Sequence, residues 1–348
     1  MATSAARWAT VFLAAALGAC SGSSGTSQTD DGSTPPMDGG ADGATLPPGS
    51  WRQAAVVPKP RYVGGVAAAG GKLYLVGGTP SADGFNTAPE RFMVSAYDPA
   101  TDAWTDLPNL PVPVILPNVA GIGDQLFVLG SLDTNQSFAY DNAGMQWVEK
   151  KPLPIIAGRG AAAVGVVDKT IYVAGGVVRG QSANMLNTGM RQTTLFAYDT
   201  TMDQWQILPG LPIAVGYAVG AIAEGQLWVM GGSTDVMRTD QILAFDLTAR
   251  TWSEKNPLPR GLSSAAGGVI GGIVYLVAGI ATEVGMINPN TYALDPKTET
   301  WSTLAPMETP RFETGAGIID GRIYIPGGVT STGAAMYGTT NSLEVFTP

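Results

Sequence analysis

Arginine is the residue type in this sequence best placed to do chemistry. Eight of the twelve arginines fall in two kinds of segment: one precedes an Ala/Gly/Val-rich run, and the other follows an apolar run that ends in glycine. Planar guanidinium groups bind carboxylates through paired hydrogen bonds, so they suit a carboxylate-bearing sugar or an acidic peptide. With neighbouring aromatic residues they make up a candidate ligand-binding set: Arg61, Tyr62, Arg91, Arg159, Arg179, Arg191, Tyr217, Arg238, Arg260, Arg311 and Phe312. The alternative is that several of these arginines only hydrogen-bond loop backbone.

Histidine is absent from the chain. This excludes imidazole metal sites, Ser-His-Asp triads and histidine acid-base catalysis within it. No P-loop or dinucleotide fingerprint occurs in a strand-to-helix setting, so no cofactor and no metal are expected. Carboxylate chemistry remains open: Glu283, or Glu313 beside Arg311, could transfer protons.

The first twenty residues, MATSAARWATVFLAAALGAC, have the layout of an export signal. Arg7 precedes an apolar stretch at 8–17 that is too short to span a membrane, and small residues follow it. The segment LGAC, which ends at the single cysteine, Cys20, resembles a bacterial lipoprotein signal. That resemblance implies removal of residues 1–19 and lipidation of Cys20. The alternative is an ordinary signal peptide with an incidental cysteine.

Residues 20–49 are rich in Ser, Gly, Pro and Asp and contain no Lys or Arg. Such a segment cannot bury enough apolar surface to order itself, so a disordered tether is expected. The formal net charge of −9 argues against nucleic acid as a partner. We expect an exported protein anchored by lipid in the cell envelope, periplasmic or surface-exposed. Ser21 after the cysteine favours the outer membrane over the inner one.

An apolar run ending in glycine occurs six times, first as KLYLVGG at 72–78. A Cβ would obstruct a sharp turn or a close backbone approach at the end of a strand, so these glycines are expected to be structural. Four copies keep both glycines: Gly77, Gly78, Gly175, Gly176, Gly231, Gly232, Gly327 and Gly328. Ser131 and Ala278 each replace one glycine of the other two pairs.

A tryptophan repeat is locked to the glycine repeat. Segments such as AYDPATDAW place an Asp six residues before a Trp, and the repeat tryptophans recur at intervals of 43 to 58 residues: Trp51, Trp104, Trp147, Trp205, Trp252 and Trp301. Periods of this size are typical of propellers and solenoids. Recurrence at one register favours packing between repeats over sugar stacking for these tryptophans.

These linked motifs resemble the kelch family over residues 50–348. The resemblance implies an all-β, six-bladed kelch-type β-propeller with four antiparallel strands per blade. Radial stacking agrees with the physics, because no single blade can cover both of its own faces. Kelch-type copper oxidases need histidine, so that branch is closed. The chain is also similar to secreted bacterial kelch proteins that act on sialic acid anomers.

The two ends of the chain are expected to share one blade. Residues 341–348, NSLEVFTP, align with a third strand and place Phe346 where other blades have Tyr, and no fourth strand follows. Trp51 is the second residue of the segment 50–57, SWRQAAVV, and a tryptophan also stands at the start of the fourth strands elsewhere. The segment at 50–57 is therefore predicted to complete the sixth blade and close the ring.

Blade connections alternate between two faces of the disc. We call the face with the second-to-third and fourth-to-first loops the loop face, and the other the turn face. The arginine set maps to the loop face, whereas carboxylates such as Asp102, Asp203 and Glu299 map to the turn face as turn residues. The loops at 79–92, 177–193 and 329–341 would wall a pocket.

Two functions follow from this map. The first, which we favour, is a monomeric, lipid-anchored recognition module that binds a protein or glycan ligand through the loop face. The second is a metal-free carbohydrate-active enzyme of the sialic acid mutarotase or epimerase type.

Overall fold

Six four-stranded antiparallel sheets make up the chain in a computed structural model, which describes residues 46–81, 86–179, 189–281, 286–330 and 338–348. This confirms the predicted six-bladed all-β propeller. Blades 1 and 2 consist of Gly65–Ala69, Lys72–Val76, Val94–Asp98 and Ala103–Leu107, then Val119–Ile122, Gln125–Leu129, Ser137–Asp141 and Gln146–Lys150. Blades 3 and 4 consist of Ala163–Val167, Thr170–Ala174, Leu195–Asp199 and Gln204–Leu208, then Val219–Ala223, Gln226–Met230, Ile242–Asp246 and Trp252–Lys255.

Blades 5 and 6 complete the ring. They consist of Leu262–Ile270, Ile273–Ala281, Thr291–Asp295 and Thr300–Leu304, then Gly317–Ile319, Arg322–Pro326, Leu343–Thr347 and Ser50–Ala54. A two-stranded hairpin, Val177–Val178 with Met190–Arg191, and one 3-10 helix, Pro89–Phe92, lie in loops. Within the described ranges, no helix has the length and apolar character needed to cross a bilayer.

The glycine pairs end the second strands for the predicted reason. Gly77 and Gly78 have φ angles of 62° and 91°, in the left-handed region. A Cβ on Gly77 would lie 2.6 Å from the carbonyl oxygen of Val114, and one on Gly78 would lie 2.6 Å from that of Tyr62. The chain therefore turns here with its backbone pressed against the loop that enters a first strand.

The closing strand pairs as predicted. Ser50–Ala54 lies antiparallel to Leu343–Thr347, with Trp51 opposite Phe346 and their ring centroids 5.1 Å apart. Residues just before Ser50 also pack on the propeller. Leu46 packs against the apolar cluster between blades 5 and 6, and the amide of Ala305 donates to the carbonyl of Pro48 at 2.8 Å.

The repeat tryptophans lie half-buried between blades. Each indole nitrogen but that of Trp301 donates to a carbonyl of the preceding blade, as Trp104 does to Ala55 at 2.9 Å and Trp205 to Lys151 at 2.9 Å. Trp301 Nε1 is buried without an acceptor among the described residues. This arrangement fits the predicted packing role.

Carboxylates on the turn face join three of the six blade junctions. In each case the acceptor is the acid two residues before the repeat tryptophan. The donor is the backbone amide of the preceding blade, four residues after that blade's own tryptophan. The donor and acceptor pairs are Ala55 with Asp102 at 2.9 Å, Lys151 with Asp203 at 2.9 Å and Asn256 with Glu299 at 3.0 Å. We call these three acids the inter-blade carboxylates. They do more than form turns, which corrects the sequence interpretation.

Proline replaces the donor at two of the three junctions that lack an inter-blade carboxylate. Met145 and Arg250 stand in the acid position of blades 2 and 4, and the facing donor positions hold Pro108 and Pro209, which have no N–H. At the junction of blades 5 and 6, the Pro48 carbonyl takes the place of a carboxylate. No amide at this position is therefore left without an acceptor.

We expect Asp203→Ala to destabilise the fold by about 1–3 kcal/mol, because it removes the acceptor of both Lys151 N–H and the Tyr198 hydroxyl. Lys151→Pro should be less harmful in the Asp203→Ala background than alone, since Pro108 and Pro209 show that the site accepts proline. Urea unfolding measures both effects, with Arg250→Ala as the matched control. Equal losses for Asp203→Ala and Arg250→Ala would contradict the inter-blade role.

Acid should weaken the same junctions. Hydrogen bonds from Tyr97 and the Ala55 amide lower the pKa of Asp102 below its ordinary value, and the Asn256 amide does the same for the pKa of Glu299. A carboxyl whose pKa is depressed on folding stabilises the native state above its unfolded pKa. This contribution is lost as the pH falls through the folded pKa. Asp102→Asn should flatten the acid limb of a plot of unfolding free energy against pH.

Candidate functional site

The centre of the loop face is ringed by six equivalent residues, one from each blade. All six have φ between 51° and 59°: Val63, Leu116, Ala161, Tyr217, Ser264 and Glu313. Backbone hydrogen bonds link neighbours around the ring, for example from Leu116 to Val63 at 2.6 Å and from Tyr217 to Ala161 at 2.8 Å. Below the ring lies a cavity of 280 Å³ lined mainly by Ala, Val and Gly of the first strands. We call this opening the channel mouth.

Glu313 is the carboxylate of the channel mouth. The Ser264 hydroxyl donates to its Oε1 at 3.0 Å, which joins blades 5 and 6. Burial raises the pKa of Glu313 to about 7, against the opposing effects of the Ser264 hydrogen bond and the Arg238 charge. A carboxyl that titrates near neutral pH can both accept and donate a proton there.

Tyr217 faces the same opening. Burial raises the pKa of its hydroxyl well above the ordinary range, and the nearby Glu313 adds to this while Arg191 opposes it. The Arg191 guanidinium lies 5.9 Å from the centroid of the Tyr217 ring. The hydroxyl of Tyr217 therefore stays protonated.

Arg191 and Arg238 flank the channel mouth from the loops of blades 3 and 4. Arg191 donates to Ser233 Oγ at 3.1 Å and lies 3.7 Å from Asp235, an exposed carboxylate. Arg238 donates to Ser263 Oγ at 3.2 Å. Among the residues that the structure describes, none forms an ion pair with Arg238.

Arg91 and Arg179 share one carboxylate. Asp133, from the loop of blade 2, forms ion pairs with Arg91 from blade 1 and with Arg179 from blade 3. Arg91 also donates to the carbonyl of Asn86. The cluster joins three loops of the loop face.

Arg61 and Arg311 are not ligand contacts, which corrects the sequence prediction. They are 1% and 0% exposed. Arg61 donates to the carbonyls of Lys59, Leu75 and Gly77 and to Ser95 Oγ. Arg311 donates to the carbonyls of Thr309, Gly327 and Ser342 and pairs with Glu344. With their donors used inside the protein, neither side chain can meet a ligand.

Arg159 is also buried, at 3% exposure, and this burial removes it from the proposed ligand set. It stands at the register of Arg61 and Arg311, but Phe196 occupies the place that Glu344 has opposite Arg311. The guanidinium lies 5.0 Å from the Phe196 ring centroid, and its Nε and Nη1 have no hydrogen-bond partner among the described residues. Burial lowers the pKa of Arg159 to about 10.

The remaining predicted residues are divided. Tyr62 and Phe312 are buried in an apolar cluster under the loops and do not face solvent, which corrects their proposed contact role. Arg260 is half-buried in the loop that enters blade 5. Glu283, like parts of the three predicted wall loops, lies outside the described residues. Glu313 accepts a hydrogen bond from Ser264 and is influenced by the charge of Arg238, whereas Arg311 pairs with Glu344.

Sequence reasoning missed Ser264 and Asp133 as site residues. Ser264 could have been found by register, since it occupies the position of Tyr217 and Glu313 in its own blade. Asp133 carries no such signal, because it stands in a loop whose length and sequence are particular to blade 2.

Fold and repeat registers together define a kelch-type six-bladed β-propeller with a polar channel mouth on its loop face. The model of the KLHDC2/KLHL20/DRC7 Kelch-repeats domain matches residues 118–328, more than half of the chain. The chain belongs to the kelch-repeat family.

Curated relatives include kelch proteins from several kingdoms. The chain is 28% identical over 186 residues to Kelch-like protein terF of Aspergillus terreus, covering 51% of this chain and 40% of that protein. It is 28% identical over 188 residues to mouse Kelch-like protein 35, covering 53% and 29%. The N-(sulfonatooxy)prop-2-enimidothioate sulfolyase of Thlaspi arvense is 28% identical over 190 residues, covering 51% and 53%. The chain thus spans about half or less of the length of these relatives.

Among solved structures, the chain is similar to YjhT, with a TM-score of 0.68. The sequences are 17% identical, and the match covers 84% of this chain and 96% of that one. At this identity the likeness concerns the fold alone.

Proposed function

We propose that this protein is a lipid-anchored recognition module of the cell envelope that binds a protein or acidic glycan ligand through its loop face. The observation that carries the proposal is the pair Arg191 and Arg238 beside the channel mouth. Arg238 forms no ion pair among the described residues and affects the Glu313 carboxyl only through its charge, so a carboxylate from a ligand can pair with it without breaking an ion pair.

Apolar residues border these arginines and favour a protein segment as the ligand. Met190 precedes Arg191, and Val236 and Met237 precede Arg238; all three apolar side chains are largely exposed. The loops are held together by the Arg191 amide, which donates to Asp235 at 3.3 Å. An acidic segment with an apolar side chain would pair with the arginines and cover the methionines.

Binding arrays of acidic peptides and acidic glycans, probed with the full chain, test this proposal. Any ligand found should lose at least tenfold in affinity in Arg191→Ala/Arg238→Ala, because two charge-assisted contacts disappear. Arg322→Ala, an exposed arginine elsewhere on the disc, is the matched control. Unchanged affinity in the double variant would refute the loop-face site.

The envelope location rests on Cys20. We expect Cys20→Ala to move the chain from the detergent-soluble membrane fraction to the soluble fraction and to remove the mass of the lipid from the mature protein. Ser21→Asp should retain the lipid and redirect the protein from the outer to the inner membrane. A Cys20→Ala chain that stays membrane-bound would remove the anchor from the proposal.

Glu313 supports a second function, a metal-free enzyme of the mutarotase or epimerase type. At the channel mouth its carboxylate could take the proton of an anomeric hydroxyl as the ring C–O bond breaks, while the ring oxygen gains a proton from solvent. Reversal of both steps, with attack on the other carbonyl face, gives the opposite anomer. The expected pKa near 7 places this base at a working pH.

NMR of anomer exchange in sialic acid tests this function. Catalysis should rise with pH as Glu313 deprotonates and level off above about pH 7, and Glu313→Gln should abolish it. Ser264→Ala should shift the profile to higher pH, since that hydrogen bond lowers the pKa of Glu313. Exchange no faster than in buffer would exclude this activity.

A further inference from the structure

A cleft of 500 Å³ lies between blades 3 and 4, away from the channel mouth and beside the third-to-fourth turns of both blades. Strand register builds its wall on blade 3. Tyr172, Ala197 and Gln206 form one row of paired residues, and Thr170, Asp199 and Gln204 form the next. Together the two rows line the cleft with the ring of Tyr172, the amides of Gln204 and Gln206, and the carboxylate of Asp199.

The cleft is open because this junction lacks the groups that fill others. Its opposite wall holds Phe245 and Arg250, and Pro209 offers no amide for an inter-blade carboxylate. At the junction of blades 4 and 5, by contrast, Lys255 lies 5.2 Å from the Trp228 ring and 3.1 Å from Glu299. Leu46 packs at the junction of blades 5 and 6.

Several polar groups of this cleft are unused inside the protein. Within the described part of the chain, the Tyr172 hydroxyl, the Gln204 and Gln206 amides and the Arg250 guanidinium form no hydrogen bond or ion pair. Asp199 uses Oδ1 to cap its own turn, accepting from the Thr201 amide at 2.8 Å, and this leaves Oδ2 available. The cleft therefore offers both hydrogen-bond donors and hydrogen-bond acceptors beside apolar side chains.

We propose that the cleft between blades 3 and 4 binds a neutral pyranose unit. Its apolar ring face would pack on the half-buried ring of Tyr172, and its hydroxyls, which both donate and accept, would meet the amides of Gln204 and Gln206. Asp199 and Arg250 carry opposite charges, so these two residues give the cleft no net charge that would favour a charged ligand. The volume fits a ligand of one or two sugar units.

The related cleft between blades 1 and 2 is a natural comparison. It has a volume of 400 Å³ and places Tyr74 where the other has Tyr172. Its acid, Asp98, is 3.5 Å from Lys72, and Met145 replaces Arg250. With its carboxylate paired and the guanidinium missing, this second cleft offers a sugar fewer contacts.

Titration of the full chain with methyl glucosides, galactosides and mannosides, followed by ligand-observed NMR, tests the proposal. At least one pyranoside should saturate, and Tyr172→Phe and Gln206→Ala should each weaken it about fivefold, the size of one lost hydrogen bond. Thr105→Ala, the equivalent of Gln206 in the other cleft, should leave it unchanged, as should Arg191→Ala/Arg238→Ala. Equal melting temperatures check the fold of each variant.

Three results would overturn the site. They are no saturation by any pyranoside, unchanged affinity in Tyr172→Phe/Gln206→Ala, and tighter binding of methyl glucuronide than of methyl glucoside. Because this site is remote from the channel mouth, its failure leaves the loop-face proposal untouched, and the reverse also holds.

Discussion

Deletion of residues 50–57 is expected to abolish cooperative folding of the whole propeller. The segment supplies the fourth strand of blade 6, with five residue pairs to Leu343–Thr347. It also holds both neighbours: Trp51 Nε1 donates to Ala305 in blade 5 at 3.0 Å, and the Ala55 amide donates to Asp102 in blade 1. Without it, blade 6 exposes an unpaired edge and the ring loses the strand that joins the two ends of the propeller in one sheet.

Thermal unfolding followed by circular dichroism measures this effect. Deletion of residues 21–40 is the control and should leave the transition in place. A rescue variant would carry residues 50–57 after Pro348, joined by residues 100–102 of the blade 1 turn because Pro348 matches Pro99, and should restore a single transition. A deletion variant that melts like the parent would refute the closing role.

Glu344→Ala should lower the free energy of unfolding by about 3–5 kcal/mol, because it strands the Arg311 charge in the interior. Both side chains are 0% exposed. Glu344 also accepts the amides of Glu308 at 3.0 Å and Thr309 at 3.1 Å, so its loss leaves three donor groups without a partner. Glu344→Gln keeps one acceptor oxygen and should lose less.

Arg159→Met provides the contrasting result. Arg159 has the same register as Arg311 and similar burial but no carboxylate, so replacing its charge should cost nothing or stabilise the fold. Arg311→Met should be strongly destabilising, since it leaves Glu344 charged and buried. Urea unfolding of Arg159→Met, Arg311→Met and Glu344→Ala gives the comparison. Similar losses for Arg159→Met and Arg311→Met would show that the ion pair does not account for the difference.

The fold could be predicted from the sequence because its determinants repeat. Trp51 and Phe346 each match one half of a repeat, and only ring closure brings the halves together. The same reasoning, applied to arginine, would have separated the ligand candidates. Arg61 and Arg311 recur at one register, as core residues do. Arg238 instead stands in the second-to-third loop of blade 4, whose sequence is not repeated in the other blades.

The polar part of the site was harder to predict. The raised pKa of Glu313 follows from burial in a ring that forms only when six distant segments meet. Spacing from Arg311 suggested the wrong neighbour, because alternate residues entering a first strand point in different directions. Asp133 pairs with arginines from two other blades, and such contacts leave no pattern in one sequence.

The distribution of inter-blade carboxylates also limits which blades can be exchanged. Blades 1 and 3 each begin their fourth strand with an acid and end it with a proline, whereas blade 2 has the reverse pattern in Met145 and Lys151. If a copy of blade 2 replaced blade 3, the Lys151 amide of the original blade 2 would face the Met145 side chain of the copy and would lack an acceptor. Modular engineering of this ring must therefore match the acid and donor positions of each exchanged blade to those of its neighbours.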